Sequence, residues 1–370
     1  MPHRTVPPFR ADHVGSLLRP PELLLARDEH AAGRITDQQL REMEDSAIAD
    51  VVRLQEEAGL QSATDGEYRR AMWHTDFVNR LGGIREGGVA GIVTGHKADG
   101  QEVTYEGHAT EVTGKVHLTE TIFGDHFSFL ASAVTTATPK LTIPSPSMVT
   151  FRADLSASGY SDPEQFRTDV AAAYAEEIRR LAALGCSYLQ LDDTVFAFLN
   201  DPRWRQNAGA LGMDPAHQHE INVRVVNQAL AGRPDGLTVT VHMCRGNYRS
   251  AWFTSGGYDY VAGAVFGGLA VDGFFLEYDD ERSGSFEPLR FVPDDKLVVL
   301  GLITTKTPAL ESKDDLKRRV GEATRYVPLE RLCLSPQCGF ASTVEGNALT
   351  RDQMRAKLEL AVQTATEIWG

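Results

Sequence analysis

Four residues of the sequence have the types and the spacing to hold a metal ion. His242 and Cys244 end a β-branched run, and in an extended segment the side chains of residues i and i+2 point to the same side. Glu277 lies at the end of the apolar run GFFLEY, and Cys338 follows the last apolar run of this kind. One imidazole, two thiolates and one carboxylate form a tetrahedral set that suits Zn²⁺ and disfavours Mg²⁺ and Ca²⁺.

These residue types also have an ordinary structural interpretation. A single His-x-Cys occurs by chance, and buried cysteines commonly fill apolar cores. We interpret Cys186 and Cys333 in that way, because apolar strand residues flank both. The closely spaced Cys-x-x-Cys pairs of a structural zinc knuckle do not occur, and ligands scattered over three segments need a finished fold. The spacing therefore favours a catalytic zinc ion.

A parallel β-sheet would bring these residues together. Eight short apolar runs alternate with amphipathic helices, at residues 9–14, 60–65, 140–144, 187–192, 237–243, 273–278, 296–303 and 331–335. Continuous apolar runs are typical of parallel strands that are covered on both faces. The count predicts an α/β fold, a single (β/α)8 TIM barrel over residues 1–370. Its active site would lie at the carboxyl ends of the strands, where the candidate ligands fall.

One stretch, residues 84–135, breaks this alternation. It is rich in Gly, Thr, Val and His, and the segment HKADGQEVTYEG predicts a hairpin turn around Asp99 and Gly100. We interpret the stretch as an insertion after the second barrel unit, which forms an edge hairpin or a lid.

Composition narrows the class of protein. The chain has 370 residues, 37 Lys and Arg against 51 Asp and Glu, and a formal net charge of −14. This charge argues against nucleic acid and anionic membranes as partners, because no basic face can neutralise phosphates. The apolar stretch at 261–271 is too short to span a bilayer, no secretory signal follows the N-terminus, and the 4 cysteines form no disulfide framework. We expect a soluble cytoplasmic enzyme with small-molecule partners, compatible with a homo-oligomer.

The order of the motifs resembles the cobalamin-independent methionine synthase family, in its catalytic barrel alone. The family's His-x-Cys, its glutamate on the next strand and its late Cys-Gly look like His242, Cys244, Glu277 and Cys338. Its Gly-Ser turn, Gly-Glu motif and Gln-Ile-Asp motif resemble Gly15-Ser16, Gly66-Glu67 and Gln190-Leu191-Asp192. The resemblance extends over residues 10–370.

This resemblance implies a zinc-dependent thiol S-methyltransferase that converts homocysteine to methionine. Zinc would hold the substrate sulfur as a thiolate, which is the nucleophilic form of a thiol. Glu67 and Asp192 would bind the substrate's ammonium group, and backbone groups at Gly15 and Ser16 would bind its carboxylate. From the residues alone, a carboxylate at a strand end is as readily a helix cap.

Three positions depart from the family pattern, and they concern the methyl donor. Residues 143–150 lack the tryptophan that stacks on the pteridine, and Phe198 stands where the family has an acidic residue for the pterin ring. Lys306 stands where the family has a proton-donating histidine, and its role is a general acid, an anion clamp or a structural ion-pair partner. The donor is therefore open, a folate or another methyl or alkyl donor.

Other functions compete with this one. The related epoxyalkane:coenzyme M transferases use a sulfonate thiol, which would need arginine partners. Four arginines near strand ends could serve, namely Arg19, Arg69, Arg70 and Arg245. A non-catalytic barrel that holds zinc and a thiol as a sensor or storage module is a third possibility. A decarboxylase like the uroporphyrinogen enzymes is disfavoured, because those need no metal.

Overall fold

A curled parallel sheet forms the centre of the structure, a computed structural model that describes residues 4–151, 153–210 and 213–370. The strands in chain order are β1 (Ser62–Ala63), β2 (Gly82–His96), β3 (Glu102–His117), β4 (Thr138–Pro144), β5 (Ala153–Asp154), β6 (Tyr188–Asp193), β7 (Thr238–Met243), β8 (Gly273–Glu277), β9 (Leu297–Ile303) and β10 (Leu332–Pro336). Seven of them form one sheet in the order β1-β4-β6-β7-β8-β9-β10. Every pairing within this sheet is parallel. The predicted α/β barrel-like fold is confirmed.

The first predicted strand, residues 9–14, forms only an isolated parallel bridge between Ala11 and Leu334. The Asp12 side chain accepts hydrogen bonds from the N–H groups of Phe9 and His13, at 3.1 and 2.8 Å, so these donors are not free for a strand ladder. Two backbone hydrogen bonds of 2.8 and 3.0 Å with Leu334 hold the segment against β10. The segment thus lies beside β10 but does not form the strand that its apolar run predicts.

Buried charges fix this segment to the sheet. The Lys140 ammonium of β4 lies 3.3 Å from Asp12, and the Tyr188 hydroxyl of β6 donates to the same carboxylate at 2.9 Å. Lys140 also lies over the Phe275 ring, 4.0 Å from its centroid. Because an unpaired buried charge is costly, these partners determine where the segment lies.

Helices cover the outer face of the sheet. In chain order they are α1 (Pro21–Ala31), α2 (Asp37–Glu57), α3 (Thr75–Val78), α4 (Gly124–Ala133), α5 (Pro146–Thr150), α6 (Pro163–Ala183), α7 (Val195–Phe198), α8 (Pro202–Ala210), α9 (Gln218–Leu230), α10 (Ala262–Gly268), α11 (Lys313–Ala323) and α12 (Arg351–Trp369). Thr36 and Gln39 form the capping box that starts α2, and Asp162 caps α6. Of the helices described, none is long and apolar enough to cross a membrane.

The predicted insertion contains a long antiparallel hairpin made by β2 and β3. Its turn lies at residues 97–101, around the predicted Asp99 and Gly100, and β5 adds to β3 in parallel. A bridge between His96 and Trp252 holds the hairpin against the loop after β7. The remainder of the insertion includes α4, which packs on α2 and β4 as a barrel helix.

The core is apolar, and it includes the two cysteines that we interpreted as core residues. Cys333 is fully buried in a small cluster with Val14, Phe275 and Val299, and Cys186 is buried in the main cluster. Both predictions are therefore confirmed.

Candidate metal and substrate site

Four side chains converge at the carboxyl ends of β7, β8 and β10. His242 lies in β7 and Cys244 follows it, Glu277 ends β8, and Cys338 lies just after β10. All four are buried, and one candidate ligand atom from each lies within 4.8 Å of the others. The two sulfurs are 3.4 Å apart, and His242 Nε2 lies 4.0 Å from a Glu277 oxygen. The structure thus brings together all four predicted ligands.

Strand alternation places His242 and Cys244 on one side. Met243 lies between them and is fully buried in the core. The Cys244 N–H donates to the Asp193 carbonyl oxygen at 2.7 Å, which continues the hydrogen bonding between β6 and β7 by one residue. The extended backbone therefore persists to Cys244, and residues i and i+2 face the same way.

Several polar atoms of this cluster have no hydrogen-bond partner, and they are atoms that a metal ion could bind. Neither ring nitrogen of His242 has a hydrogen-bond partner, and neither has Oε2 of Glu277. Buried polar atoms normally have partners, so these exceptions need an explanation. One nitrogen, two sulfurs and one carboxylate oxygen match the donors that zinc takes in proteins. The residues present therefore fit a zinc ion.

Burial and electrostatic interactions within the cluster together raise the pKa of three of the candidate ligands and lower the pKa of the fourth. The hydrogen bond between the two sulfurs lowers the pKa of Cys338 and raises the pKa of Cys244, because it stabilises one thiolate beside one thiol. Burial raises the pKa of Glu277, and the charge of Lys306 opposes this rise. Burial disfavours charged His242, but Cys338 and the nearby carboxylates outweigh it and raise the pKa of the imidazole. A metal that binds here would displace these protons.

The two predicted carboxylates lie beside the cluster. Glu67 has a φ of 62°, in the left-handed region that a non-glycine residue rarely adopts, and such strain is common at functional sites. One of its oxygens accepts from the Thr142 hydroxyl at 2.8 Å, and the other is buried without a hydrogen-bond partner. Asp192 accepts from Gln190 at 2.7 Å, and burial raises the pKa of Asp192 to about 7. Both carboxylates can therefore accept a further hydrogen bond or a cation.

The Gly15-Ser16 turn lies against the Cys338 loop. Gly15 has a φ of 144°, and a Cβ at this position would lie 2.7 Å from Thr142. A Cβ at Gly339 would collide with the Ser16 hydroxyl, so the close approach of the two segments needs glycine there. The Phe340 N–H donates to the Ser16 carbonyl at 2.8 Å. The turn is thereby held next to the candidate ligands.

A cavity that opens to solvent connects these groups. Three candidate ligands line it, namely His242, Cys244 and Cys338. Ser16 of the turn and the carboxylates of Glu67 and Asp192 line it as well. Lys306 follows β9, is buried, and has no hydrogen-bond partner for its ammonium, but it does not line the cavity. The cavity therefore joins the metal cluster to the predicted substrate carboxylates and excludes Lys306.

The four arginines considered as sulfonate partners, Arg19, Arg69, Arg70 and Arg245, do not line this cavity. Arg19 donates to four backbone carbonyl oxygens at 2.8 to 3.1 Å. Arg70 lies 3.6 Å from Glu67. Arg69 pairs with Asp45, and Arg245 lies over the ring of Tyr258. Their contacts are structural, so the anion site that a sulfonate thiol would need is not formed by these side chains.

Sequence reasoning missed the aromatic residues of the cavity. They come from β3, α7, α8 and two loops, and they are Trp73, Tyr105, Phe198, Trp204, Tyr248 and Phe253. Only Phe198 was singled out, as a departure from the family pattern. The tryptophans in this cavity are Trp73 and Trp204, far in sequence from residues 143–150. No local pattern could have found them, because long-range packing places their rings here.

Residues 9–367 match the family described as the cobalamin-independent synthase, catalytic domain. The chain therefore belongs to this family, as the motif resemblance implied. The uncharacterized protein YxjH of Bacillus subtilis is 47% identical over 363 residues, which cover 98% of this chain and 95% of that protein. The structure of a putative vitamin-B12 independent methionine synthase from Listeria monocytogenes is 38% identical, with a TM-score of 0.79 and coverage of 99% and 100% of the two chains.

More distant proteins are similar to this chain over most of its length. The methionine synthase of Saccharolobus solfataricus is 23% identical over 358 residues, covering 93% of this chain and 95% of that protein. A B12-independent methionine synthase from Shewanella sp. W3-18-1, solved in complex with selenomethionine, has a TM-score of 0.69 at 19% identity and covers 97% of each chain. The likeness to the Shewanella structure shows the common fold.

Proposed function

We propose that this protein is a zinc-dependent thiol S-methyltransferase that transfers a methyl group to homocysteine and gives methionine. The observation that carries this proposal is the opening of the His242, Cys244 and Cys338 cluster onto a cavity that also contains two buried carboxylates. Membership of the cobalamin-independent synthase family supports a methyltransferase that acts on homocysteine.

The zinc would be held by His242, Cys244, Glu277 and Cys338. When bound, zinc supplies a Lewis acid that keeps a thiol ionised, and therefore nucleophilic, at neutral pH. The chain's own contribution is to hold the two cysteine sulfurs and the carboxylate in one buried place. Because the thiol ligands must stay reduced, we also place the protein in the cytoplasm.

The amino-acid part of homocysteine would bind next to the cluster. Glu67 and Asp192 line the cavity and would accept hydrogen bonds from the ammonium group, which is a charge-assisted interaction. Backbone groups of Gly15 and Ser16 would orient the carboxylate. No arginine side chain lines the cavity among the residues that the structure describes, so this set favours an amino-acid thiol over a sulfonate thiol.

We propose an electrostatic role for Lys306 rather than proton transfer to a substrate. It lies near the metal cluster without lining the cavity, and its charge lowers the pKa of Glu277 against burial. The ammonium would therefore favour the ionised carboxylate, so Lys306 acts here as a positioning residue.

Cobalt substitution tests the proposed thiol site. We expect Co²⁺ to bind with intense sulfur-to-metal absorption from two cysteine ligands, and L-homocysteine to increase that absorption as a third sulfur joins. L-homoserine is the matched control, because it has a hydroxyl in place of the thiol and should leave the absorption unchanged. An unchanged spectrum with saturating homocysteine would contradict the proposal.

A further inference from the structure

Six aromatic rings line the cavity, and no lysine or arginine side chain does among the residues described. The rings belong to Trp73, Tyr105, Phe198, Trp204, Tyr248 and Phe253. The acidic side chains that line it are Glu67 and Asp192, and the histidines are His74 and His242. The cavity is therefore rich in π faces and carboxylates and poor in fixed positive charge.

All of these rings except Trp73 contact another ring of the set, in two groups. Phe198 of α7 and Trp204 of α8 stack with their centroids 4.5 Å apart and their planes 27° apart. Tyr105 of the hairpin meets Tyr248 edge to face at 5.4 Å and lies 6.0 Å from Phe253. The Trp204 indole N–H donates to the Phe253 carbonyl oxygen at 3.4 Å, which joins the two groups into one aromatic surface, and the hairpin supplies part of it.

Such a surface favours ligands that carry a positive charge. Aromatic faces attract cations, and quaternary ammonium groups in particular are bound by sets of aromatic rings. An anionic donor, such as a folate with its glutamate carboxylates, would need lysine or arginine partners, which the described side chains of the cavity do not provide. Two cysteine thiolates, Glu277 and an ionised substrate sulfur also place negative charge on the metal site.

We propose that the methyl donor is an onium compound, whose transferable methyl group is attached to a positively charged sulfur or nitrogen and which binds against the aromatic surface. This inference rests on the proposed function, since homocysteine is the acceptor. Sulfonium and quaternary ammonium donors share the recognised chemistry, so the experiments below separate them.

The reaction with an onium donor balances without a general acid. Homocysteine releases its thiol proton to solvent, and its sulfur forms a bond to the methyl carbon. The bond from that carbon to the onium atom breaks, its electron pair stays on the leaving atom, and a neutral thioether or tertiary amine departs. A donor of this class needs no protonation of the leaving group, which agrees with the position of Lys306 outside the cavity.

Binding to the zinc-loaded protein tests the cation preference without turnover. We would titrate choline and its neutral isostere 3,3-dimethylbutan-1-ol by calorimetry and tryptophan fluorescence. The proposal predicts that choline binds about tenfold more tightly. Equal affinity for the two compounds would overturn it.

Two substitutions at one position separate ring chemistry from bulk. Trp204→Phe keeps an aromatic face and should retain most of the preference for choline, whereas Trp204→Leu should lose it. Zinc content and melting temperature report whether each variant is folded. If Trp204→Leu is folded and still prefers choline, the aromatic surface is not the cation site and the proposal fails.

Transfer assays separate the donors and the two proposals. With homocysteine, we expect trimethylsulfonium to give methionine and dimethyl sulfide in equal amounts. Methionine formed from glycine betaine would instead identify a quaternary ammonium donor. Methionine formed from 5-methyltetrahydrofolate alone would overturn the onium donor and leave the proposed function intact. Choline binding by a protein that neither binds nor methylates homocysteine would support the cation site and contradict the proposed function.

Discussion

At the scale of single residues, backbone N–H groups support the candidate ligands. The Gly246 N–H points at the Cys244 sulfur at 3.3 Å, and the Arg245 N–H donates to Glu277 at 3.2 Å. Hydrogen bonds to a charged acceptor favour its ionised form. The chain is therefore arranged to hold negative ligands at the end of β7, which a positive ion would balance.

Replacing one ligand tests whether these residues bind zinc. We predict that Cys338→Ser lowers the zinc content and abolishes methionine formation while the far-ultraviolet circular dichroism stays unchanged. Cys186→Ala is the matched control, because Cys186 is buried in the core away from the cluster and should leave the zinc content unchanged. Full zinc content and activity in Cys338→Ser would remove this residue from the site.

The carboxylate at Asp192 gives a second prediction with a pH dependence. Asp192→Asn should weaken L-homocysteine binding by about tenfold or more, and 2-mercaptoethanol binding far less, because only the amino acid carries an ammonium group. Burial raises the pKa of Asp192 to about 7, so in the unsubstituted protein this selectivity should decline as the pH falls below 7. Calorimetry with both thiols measures it, and equal losses for the two would contradict the ammonium role.

A site residue can be predicted when the neighbouring sequence alone indicates its position. His242 and Cys244 could be predicted because strand alternation alone puts them on one side, and Glu277 because a carboxylate ends an apolar run. Tyr105 and Trp204 could not, because nothing near them in sequence shows that a hairpin and a short helix meet at the cavity. Their positions depend on tertiary packing.

At the scale of elements, local sequence patterns predict most helix and strand ends, but two aspartates alter the predicted elements. Asp214-Pro215 has the pattern of a helix start, yet α9 begins at Gln218. The Asp214 carboxylate instead accepts from the Ala216 N–H at 3.0 Å and contacts the His217 ring at 2.8 Å, which forms a turn. Similarly, Asp12 prevents a full first strand by taking backbone donors. Side chains that compete for the backbone therefore limit what apolar patterns can predict.

A carboxylate at the end of α2 gives an element-scale prediction. Glu56 accepts hydrogen bonds from the N–H groups of Thr135, Thr136 and Ala137, at 2.7, 2.7 and 3.0 Å. Burial opposes ionisation, but the Thr135 hydroxyl, which donates at 2.6 Å, and these N–H groups outweigh it and lower the pKa of Glu56 from 4.5 to about 2. A pKa that is lower in the folded state stabilises the protein above pH 4.5, and this contribution is lost as the pH falls towards 2.

We therefore expect Glu56→Gln to lower the free energy of unfolding at pH 7 by about 1 kcal/mol, after allowance for solvent screening at this partly exposed site. The difference should shrink as the pH is lowered to 3. Glu57→Gln is the control, since Glu57 is exposed and only pairs with Arg355 at 3.3 Å. Urea unfolding at both pH values measures the effect, and a constant difference between them would contradict the hydrogen-bond assignment.

At the scale of the whole molecule, we expect the barrel to fold without a metal ion. The candidate ligands lie at the ends of paired strands, and the core beneath them is buried and apolar. Removal of zinc with a chelator should therefore leave the far-ultraviolet circular dichroism unchanged and lower the melting temperature. Loss of the α/β spectrum on chelation would instead show a structural metal, as in a zinc finger.

The most direct test of the proposed methyltransferase is calorimetric titration of the zinc-loaded protein. L-homocysteine and 2-mercaptoethanesulfonate are titrated separately, in buffers of different ionisation enthalpy. A thiol that joins the metal as a thiolate must release its proton, so the buffer dependence counts protons. We predict tight binding of homocysteine with proton release and weak binding of the sulfonate. Preference for the sulfonate, or homocysteine binding without proton release, would contradict the proposed methyltransferase.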